Sequence, residues 1–209
     1  MPSLGFPQLL EMALMAVVLL FSIVVHEVAH GYVALQNGDP TARLLGRLTL
    51  NPIPHIDPIG SILLPLLLLV TSSPILFGWA KPVPVNPLNF RNYRWGEITV
   101  SAAGPLSNLA LAVIFSYLLL LAPANLGLMK MALYGVHINI ILALFNLIPI
   151  PPLDGSHILS ILLPRDLARA YAYLEPIGFI LILVLFYTGI LGMFLMPAYR
   201  LIASFLLGQ

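Results

Sequence analysis

The chain has 209 residues, of which 60% are hydrophobic and 8% are charged. Its mean hydropathy of +1.00 excludes an ordinary soluble domain of this length and predicts an integral membrane protein. The net charge of +1 does not indicate a nucleic-acid partner, and the absence of cysteine excludes disulfides and thiolate metal sites. No repeat, low-complexity tract or polar linker divides the sequence, so we expect a single domain over residues 1–209.

The first apolar segment runs from about Leu9 to Leu35, long enough to cross a hydrocarbon core of roughly 30 Å. It carries His26, Glu27 and His30 in its last third. On a helix, His26 and His30 lie on one face, at a spacing that lets two imidazoles bind one metal ion. Glu27 then lies where H-E-x-x-H sites place the general base that takes a proton from metal-bound water. The alternative is a proton relay or a buried polar cluster.

Residues 41–97 have a less regular pattern. Leu48–Leu50 and Pro82–Val85 alternate like strands, although the prolines allow only an edge strand. Between them, Ile59 to Phe77 carries no charge, and its unbroken apolar part, Ile59 to Val70, is shorter than a full crossing. We therefore expect a re-entrant segment there.

Three clearer spans follow, at Ile98–Leu121, Met131 to about Ile148, and Pro176–Met196. Leu201–Leu207 is too short to cross and predicts a short interfacial helix at the C-terminal end. The sequence therefore predicts an all-α polytopic membrane protein with about four full spans.

A zinc site with catalytic activity usually has three protein ligands, so the two histidines need a partner. Asp154 is the best candidate, because it is a lone carboxylate after a proline-rich turn at the end of a span. The alternative is that Asp154 only caps the next helix. His157, three residues later, could be a substitute ligand or support the ligands indirectly.

The third ligand constrains the topology. If Ile59–Phe77 dips in and returns, Asp154 reaches the side of the membrane that holds His26 and His30; if it crosses, Asp154 lands on the opposite side. The re-entrant topology also gathers the basic loop residues on one side, which the positive-inside rule assigns to the cytoplasm. These residues are Arg43, Arg47, Lys81, Arg91, Arg94, Arg165 and Arg169.

The chain resembles the site-2 protease family of intramembrane zinc metalloproteases. The resemblance rests on His26-Glu27-x-x-His30, Gly104-x-x-x-Asn108, Asn146-x-x-Pro149 and Asp154-Gly155. It implies that His26, His30 and Asp154 bind one Zn²⁺ and that Glu27 activates the water. It also implies that the substrate is bound by residues of the other motifs: Asn146, Asn108, Gly104 and Pro149. It also implies a membrane-dipping β element before the second core span.

The family cleaves transmembrane segments of other membrane proteins. We therefore expect a prokaryotic cell-membrane endopeptidase of a compact branch without PDZ or CBS domains, with its active site open to the cytoplasm. Ser156 and His157 stand where many members have a glycine and a basic residue. We further expect the substrate to unwind and to pair with the edge near Pro82–Val85. The alternatives are a metal or proton transporter and a catalytically silent scaffold.

Overall fold

The computed structural model describes residues 6–71, 78–121 and 125–208. Throughout these residues the regular structure is helical, and no strand occurs. The α-helices are α1 (Phe6–Gln36), α2 (Thr41–Leu44), α3 (Leu64–Val70), α4 (Tyr93–Leu121), α5 (Leu126–Asn146), α6 (Asp154–Leu162), α7 (Arg165–Ala172), α8 (Gly178–Tyr187) and α9 (Ile190–Leu207). A π-helical turn at Pro58–Leu63 and 3₁₀ turns at Ile53–His55 and Pro87–Asn89 complete them.

Among the described residues, four helices are long and apolar enough to cross a membrane: α1, α4, α5 and α9. The chain is therefore a multi-pass membrane protein, as the composition predicts. The spans predicted to begin near Leu9, Ile98 and Met131 correspond to α1, α4 and α5, each of which begins a few residues earlier.

Helix α4 is central, because it packs against α1, α5 and α6. The backbone N–H of Arg91 donates to the carbonyl of Asn37 at 2.9 Å, which joins the start of α4 to the end of α1. An ion pair between Lys130 and Glu11 joins the start of α5 to the start of α1. The carboxyl ends of α1 and α5 therefore lie at the same end of the bundle as the start of α4.

Helix α9 completes the bundle against α4 and α5. The hydroxyl of Ser116 donates to the carbonyl of Leu206 at 2.6 Å, and small side chains let the helices approach closely. The fully or nearly buried residues of this contact are Ala112, Val136, Ile140 and Ala203.

The predicted β element is wrong for the described residues. Leu48–Leu50 and Pro82–Val85 are both non-helical, but neither pairs as a strand. Pro82 and Pro84 have no N–H to give to a ladder, which leaves every second donor missing along the second stretch.

The remaining donors around Pro82 have partners outside any sheet. The N–H of Lys81 donates to the carbonyl of His55 at 2.9 Å, and the N–H of Val83 donates to the Glu27 carboxylate at 2.7 Å. Both N–H groups already donate within the protein. Neither Lys81 nor Val83 can therefore donate its N–H to a substrate strand, as the expected pairing requires.

The predicted re-entrant segment begins as the π-helical turn and α3. Its two ends are adjacent, since Trp79 N–H donates to the Gly60 carbonyl at 3.2 Å and the Ser61 hydroxyl donates to the Trp79 carbonyl at 2.8 Å. Residues 72–77 lie outside the described residues, and re-entry into the membrane is not supported by the structure.

The prediction for the C-terminal region is wrong. Pro176–Met196 is not one helix, because Gly189, at φ 75°, separates α8 from α9. Leu201–Leu207 is not a separate interfacial helix but the last part of α9, which continues through Pro197 over 18 residues. The left-handed conformation that glycine adopts at no steric cost sets this boundary.

Hydrogen bonds to Asp39 connect the loop after α1 with the segment that precedes α4. Its side chain is fully buried and accepts hydrogen bonds from Asn86 N–H at 2.7 Å, Asn89 Nδ2 at 2.7 Å and Thr41 N–H at 3.1 Å. Burial raises the pKa of Asp39, but the hydrogen bonds from Thr41, Asn86 and Asn89 outweigh it, so the pKa lies below its usual value.

Asp39→Asn should lower the free energy of unfolding by about 1–3 kcal/mol at neutral pH, because one acceptor oxygen becomes a donor facing other donors. The folded-state pKa is lowered, so the carboxylate's contribution is present above the unfolded pKa of about 3.9 and is lost as the pH falls through the folded value. Denaturant unfolding in detergent at several pH values measures this. Asp166→Asn, whose side chain is 96% exposed, is the control and should have no effect. If the loss of unfolding free energy in Asp39→Asn were as large in strong acid as at neutral pH, the ionised state of the Asp39 carboxylate would be contradicted.

Candidate metal centre

Two histidines of α1 face a notch in α4 made by Gly104. A Cβ placed on Gly104 would lie 2.4 Å from His30 Nε2 and 2.5 Å from His26 Nε2. Any larger residue would therefore occupy the space of the imidazoles, and the close approach of α1 and α4 depends on this glycine. Both histidines are nearly buried, at 7% and 9% exposure.

A turn after α5 brings Asp154 to the same place. Helix α6 begins at Asp154, and the residue at its N-cap is Leu153, so the carboxylate does not serve as the cap. A Cβ on Gly155 would lie 2.2 Å from the Leu147 carbonyl oxygen, which shows how tightly α6 turns back on the end of α5. Asp154 Oδ2 thereby lies 3.2 Å from His26 Nε2 and 3.3 Å from His30 Nε2.

The partners of the other ring nitrogens determine the tautomers. His30 Nδ1 lies 2.7 Å from the carbonyl oxygen of Val100, which can only accept, so Nδ1 carries the proton. His26 Nδ1 lies 2.6 Å from Asn108 Oδ1, also an acceptor. When neutral, each ring therefore has an unprotonated Nε2, which faces the other histidine and Asp154.

In that form, three acceptor atoms converge on one point. The two Nε2 atoms are 3.0 Å apart, and among the described residues the buried Asp154 Oδ2 has no hydrogen-bond partner. A cation at the centre satisfies all three atoms. Tetrahedral coordination with bonds of about 2.0–2.1 Å places ligand atoms about 3.3–3.4 Å apart, close to these separations. The donor set thus fits zinc, and the three residues form a possible metal site.

Asn108 orients His26. Its amide is fully buried; Oδ1 faces His26, while Nδ2 donates to Asn139 Oδ1 at 2.8 Å. Asn139 Nδ2 in turn donates to the Ser22 hydroxyl at 2.8 Å and to the carbonyl of Gly135, which can only accept, at 2.8 Å. These contacts settle the amide orientation of Asn108 and hold the His26 ring from behind.

The sequence singled out Asn108 but missed Asn139 and Ser22. Asn139 lies within a span, and a buried amide there was the available signal. That Asn108 and Gly104 contact the substrate stays a prediction. Both residues lie against the histidines of α1.

Glu27 lies beside the histidines at the wall of a cavity of about 340 Å³. Its Oε2 accepts the N–H of Val83 at 2.7 Å. The cavity is also lined by Asn146, whose Nδ2 donates to the Leu142 carbonyl at 2.9 Å. Apolar side chains form most of its remaining wall: Ile23, Leu142, Phe145, Leu153 and Ile182.

The other predicted residues lie elsewhere. Pro149 is in the turn before α6 and does not line this cavity, although its carbonyl accepts a hydrogen bond from the Tyr171 hydroxyl at 2.9 Å. His157 is exposed and does not belong to the three-residue metal group. His137 is 2.8 Å from the Tyr199 hydroxyl, and His55 is buried against the Thr49 carbonyl at 3.0 Å.

Comparison with known proteins assigns the family. YwhC of Bacillus subtilis (strain 168), named "Putative zinc metalloprotease", is 43% identical over 195 residues, covering 89% of this chain and 85% of the relative. The chain belongs to peptidase family M50. Residues 121–185 match the model of that family. Two proteins named Rip2 carry the same description: that of Mycolicibacterium smegmatis is 31% identical over 83% of this chain and 66% of the relative, and that of Mycobacterium tuberculosis (strain H37Rv) is 32% identical over 80% and 64%. No solved structure matches the chain significantly.

Membership in peptidase family M50 confirms the family of metalloproteases predicted from the sequence motifs. As an M50 peptidase, the chain is a zinc metalloprotease, and the four long apolar helices found in its described residues place it in the membrane.

Gly104→Ala should abolish metal binding, because the added methyl group would lie within 2.5 Å of ring atoms of both histidines. Metal content of the purified protein, measured by mass spectrometry, tests this. Gly192→Ala is the matched control. Gly192 lies in α9, and the described residues outside its own helical turn leave open space around the new Cβ, so this variant should keep its metal. If Gly104→Ala kept its full metal content, the contact between α1 and α4 would be looser than the distances of 2.4–2.5 Å indicate.

Asn108→Ala should weaken zinc binding by roughly ten- to a hundredfold, since His26 loses the acceptor that fixes its tautomer. Competition with a chelator measures the affinity. Asn125→Ala, which removes a helix cap at the opposite end of the bundle, should leave the affinity unchanged. An unaltered affinity in Asn108→Ala would refute the orienting role.

Proposed function

We propose that this M50 peptidase is a zinc-dependent endopeptidase that hydrolyses peptide bonds within or near transmembrane segments of other membrane proteins. The observation that supports this best is the convergence of His26 Nε2, His30 Nε2 and Asp154 Oδ2 beside Glu27 at the wall of one cavity. The site lies between helices long enough to cross a membrane, so a membrane-embedded substrate can reach it from the side.

In this proposal His26, His30 and Asp154 hold one Zn²⁺. The metal, when bound, would polarise the scissile carbonyl and lower the pKa of the attacking water. Glu27 takes the proton from that water and passes it to the nitrogen of the leaving amine as the C–N bond breaks. Because Oε2 of Glu27 is held by the Val83 N–H, its other oxygen is the one positioned to exchange the proton.

The cavity supports a largely apolar, unwound substrate segment. Its volume of about 340 Å³ and apolar wall suit hydrophobic side chains on either side of a peptide bond. A helical segment hides its peptide bonds, so it must unwind locally before it can bind there. Asn146 keeps one of its two N–H groups on the Leu142 carbonyl and has the other for a substrate carbonyl.

We also propose that the site opens to the cytoplasm of a prokaryotic cell. The loops at the end of the bundle that holds the metal centre carry most of the basic residues, and the positive-inside rule assigns such an end to the cytoplasm. The hydrogen bonds that join Lys81 to His55 and Arg91 to Asn37 support placing these loops together.

Glu27→Gln should retain zinc and lose cleavage by about 10²–10⁴-fold, since the amide cannot take the proton. The test uses purified protein in lipid nanodiscs with a panel of tagged single-span membrane proteins, and follows cleavage on gels alongside zinc content. Glu175→Gln, an exposed glutamate between α7 and α8, is the control and should cleave normally.

His26→Ala should lose both zinc and cleavage. Cleavage by Glu27→Gln at the wild-type rate would overturn the mechanism, and zinc binding without cleavage of any panel member by wild type would overturn the proposed activity.

A further inference from the structure

We infer that Arg47 is a positioning residue for Glu27 and acts through the peptide bond between Pro82 and Val83. The inference rests on the proposed function, in which Glu27 is the general base. Arg47 lies in the loop after α2, twenty residues along the chain from Glu27, and nothing in the local sequence links the two.

The geometry joins them through one peptide group. Arg47 Nη2 donates to the carbonyl of Lys81 at 2.8 Å and to the carbonyl of Pro82 at 3.3 Å. The N–H of the Pro82–Val83 peptide, on Val83, donates to Glu27 Oε2 at 2.7 Å. A cation therefore contacts one side of this peptide and an anion the other.

The arrangement strengthens the hydrogen bond to Glu27. A positive charge on the carbonyl oxygen polarises the peptide and makes its N–H a better donor, so the two hydrogen bonds reinforce each other. The contact is made to Oε2 of Glu27, a residue that also lines the cavity, and it leaves Oε1 for proton transfer. Arg47 thus fixes which oxygen of the base is available.

A purely stabilising role for Arg47 fits the contacts less well. The residue is 8% exposed, and among the described residues no carboxylate lies within ion-pair distance of its guanidinium. Its Nε is buried with no hydrogen-bond partner in the described structure. A buried, unpaired cation with an unsatisfied donor is costly, and apolar packing would stabilise this loop better.

Two further contacts, made by Lys81 and Val83, hold residues 81–83 next to the metal centre. The Val83 side chain is buried near Gly31, where an added Cβ would lie 2.8 Å from Val83 Cγ1. Lys81 N–H donates to the His55 carbonyl at 2.9 Å. These contacts keep the segment close to α1 when Arg47 is removed, so the loss should affect the precision of the Glu27 contact more than the fold.

The test compares Arg47→Ala with Arg47→Lys and with Arg43→Ala, an exposed arginine four residues earlier. With the cleaved panel member as substrate, Arg47→Ala should lower kcat by roughly ten- to a hundredfold. KM should change by less than about threefold, because the substrate-lining residues are intact. Zinc content should be unchanged. Arg47→Lys, which keeps a cationic donor, should recover most of kcat, and Arg43→Ala should resemble wild type.

Hydrogen exchange gives a readout independent of catalysis. Within residues 82–85 the only backbone amides are those of Val83 and Val85, because positions 82 and 84 are prolines. Exchange in this peptide should accelerate in Arg47→Ala, as it should in the reference variant Glu27→Ala, which removes the acceptor. Arg47→Gln replaces Arg47→Ala in both measurements if the alanine variant does not fold.

A wild-type kcat in Arg47→Ala, or a loss of kcat with unchanged exchange, would overturn the inference while leaving the proposed function intact. An equal loss of kcat in Arg43→Ala would also overturn it. Cleavage by Glu27→Gln at the wild-type rate would instead refute the proposed function, and the positioning role with it.

Discussion

The convergence of two imidazole nitrogens and one carboxylate oxygen is the constraint on which the rest of the structure depends. His26 Nε2, His30 Nε2 and Asp154 Oδ2 lie 3.0–3.3 Å apart. In a medium of low dielectric such a group of acceptors is unfavourable unless a cation lies between them. The notch at Gly104 and the tight return of the chain at Gly155 are the local features that make the convergence possible.

Around this centre, each functional side chain is held by a contact from a different part of the chain. Asn108 of α4 holds His26, and the carbonyl of Val100 holds His30. The Val83 N–H, in a loop that precedes α4, holds Glu27. The result is a site in which the α1 residues supply the chemistry and other segments set their orientation, as is usual for metal centres.

The success of the sequence-based predictions differs from element to element. Helices α1, α4 and α5 could be predicted because a long apolar run is a local property. The strand prediction for Pro82–Val85 failed because alternation alone does not provide a partner, and the donors there bond to His55 and Glu27. The boundary between α8 and α9 was missed because a glycine in an apolar run can continue a helix or end it, and only the backbone conformation decides.

By itself, the sequence determined the membrane class and the pair of histidines with their glutamate, because composition and helical spacing depend on neighbouring residues only. It also made Asp154 the best candidate for the third ligand, as a lone carboxylate after a proline-rich turn. Only the tertiary structure decided that Asn108 and Gly104 lie against the histidines, that Asn139 and Ser22 support them, and that Arg47 reaches Glu27 through one peptide. Such contacts join residues far apart in the chain, and their geometry exists only once the helices and loops have packed.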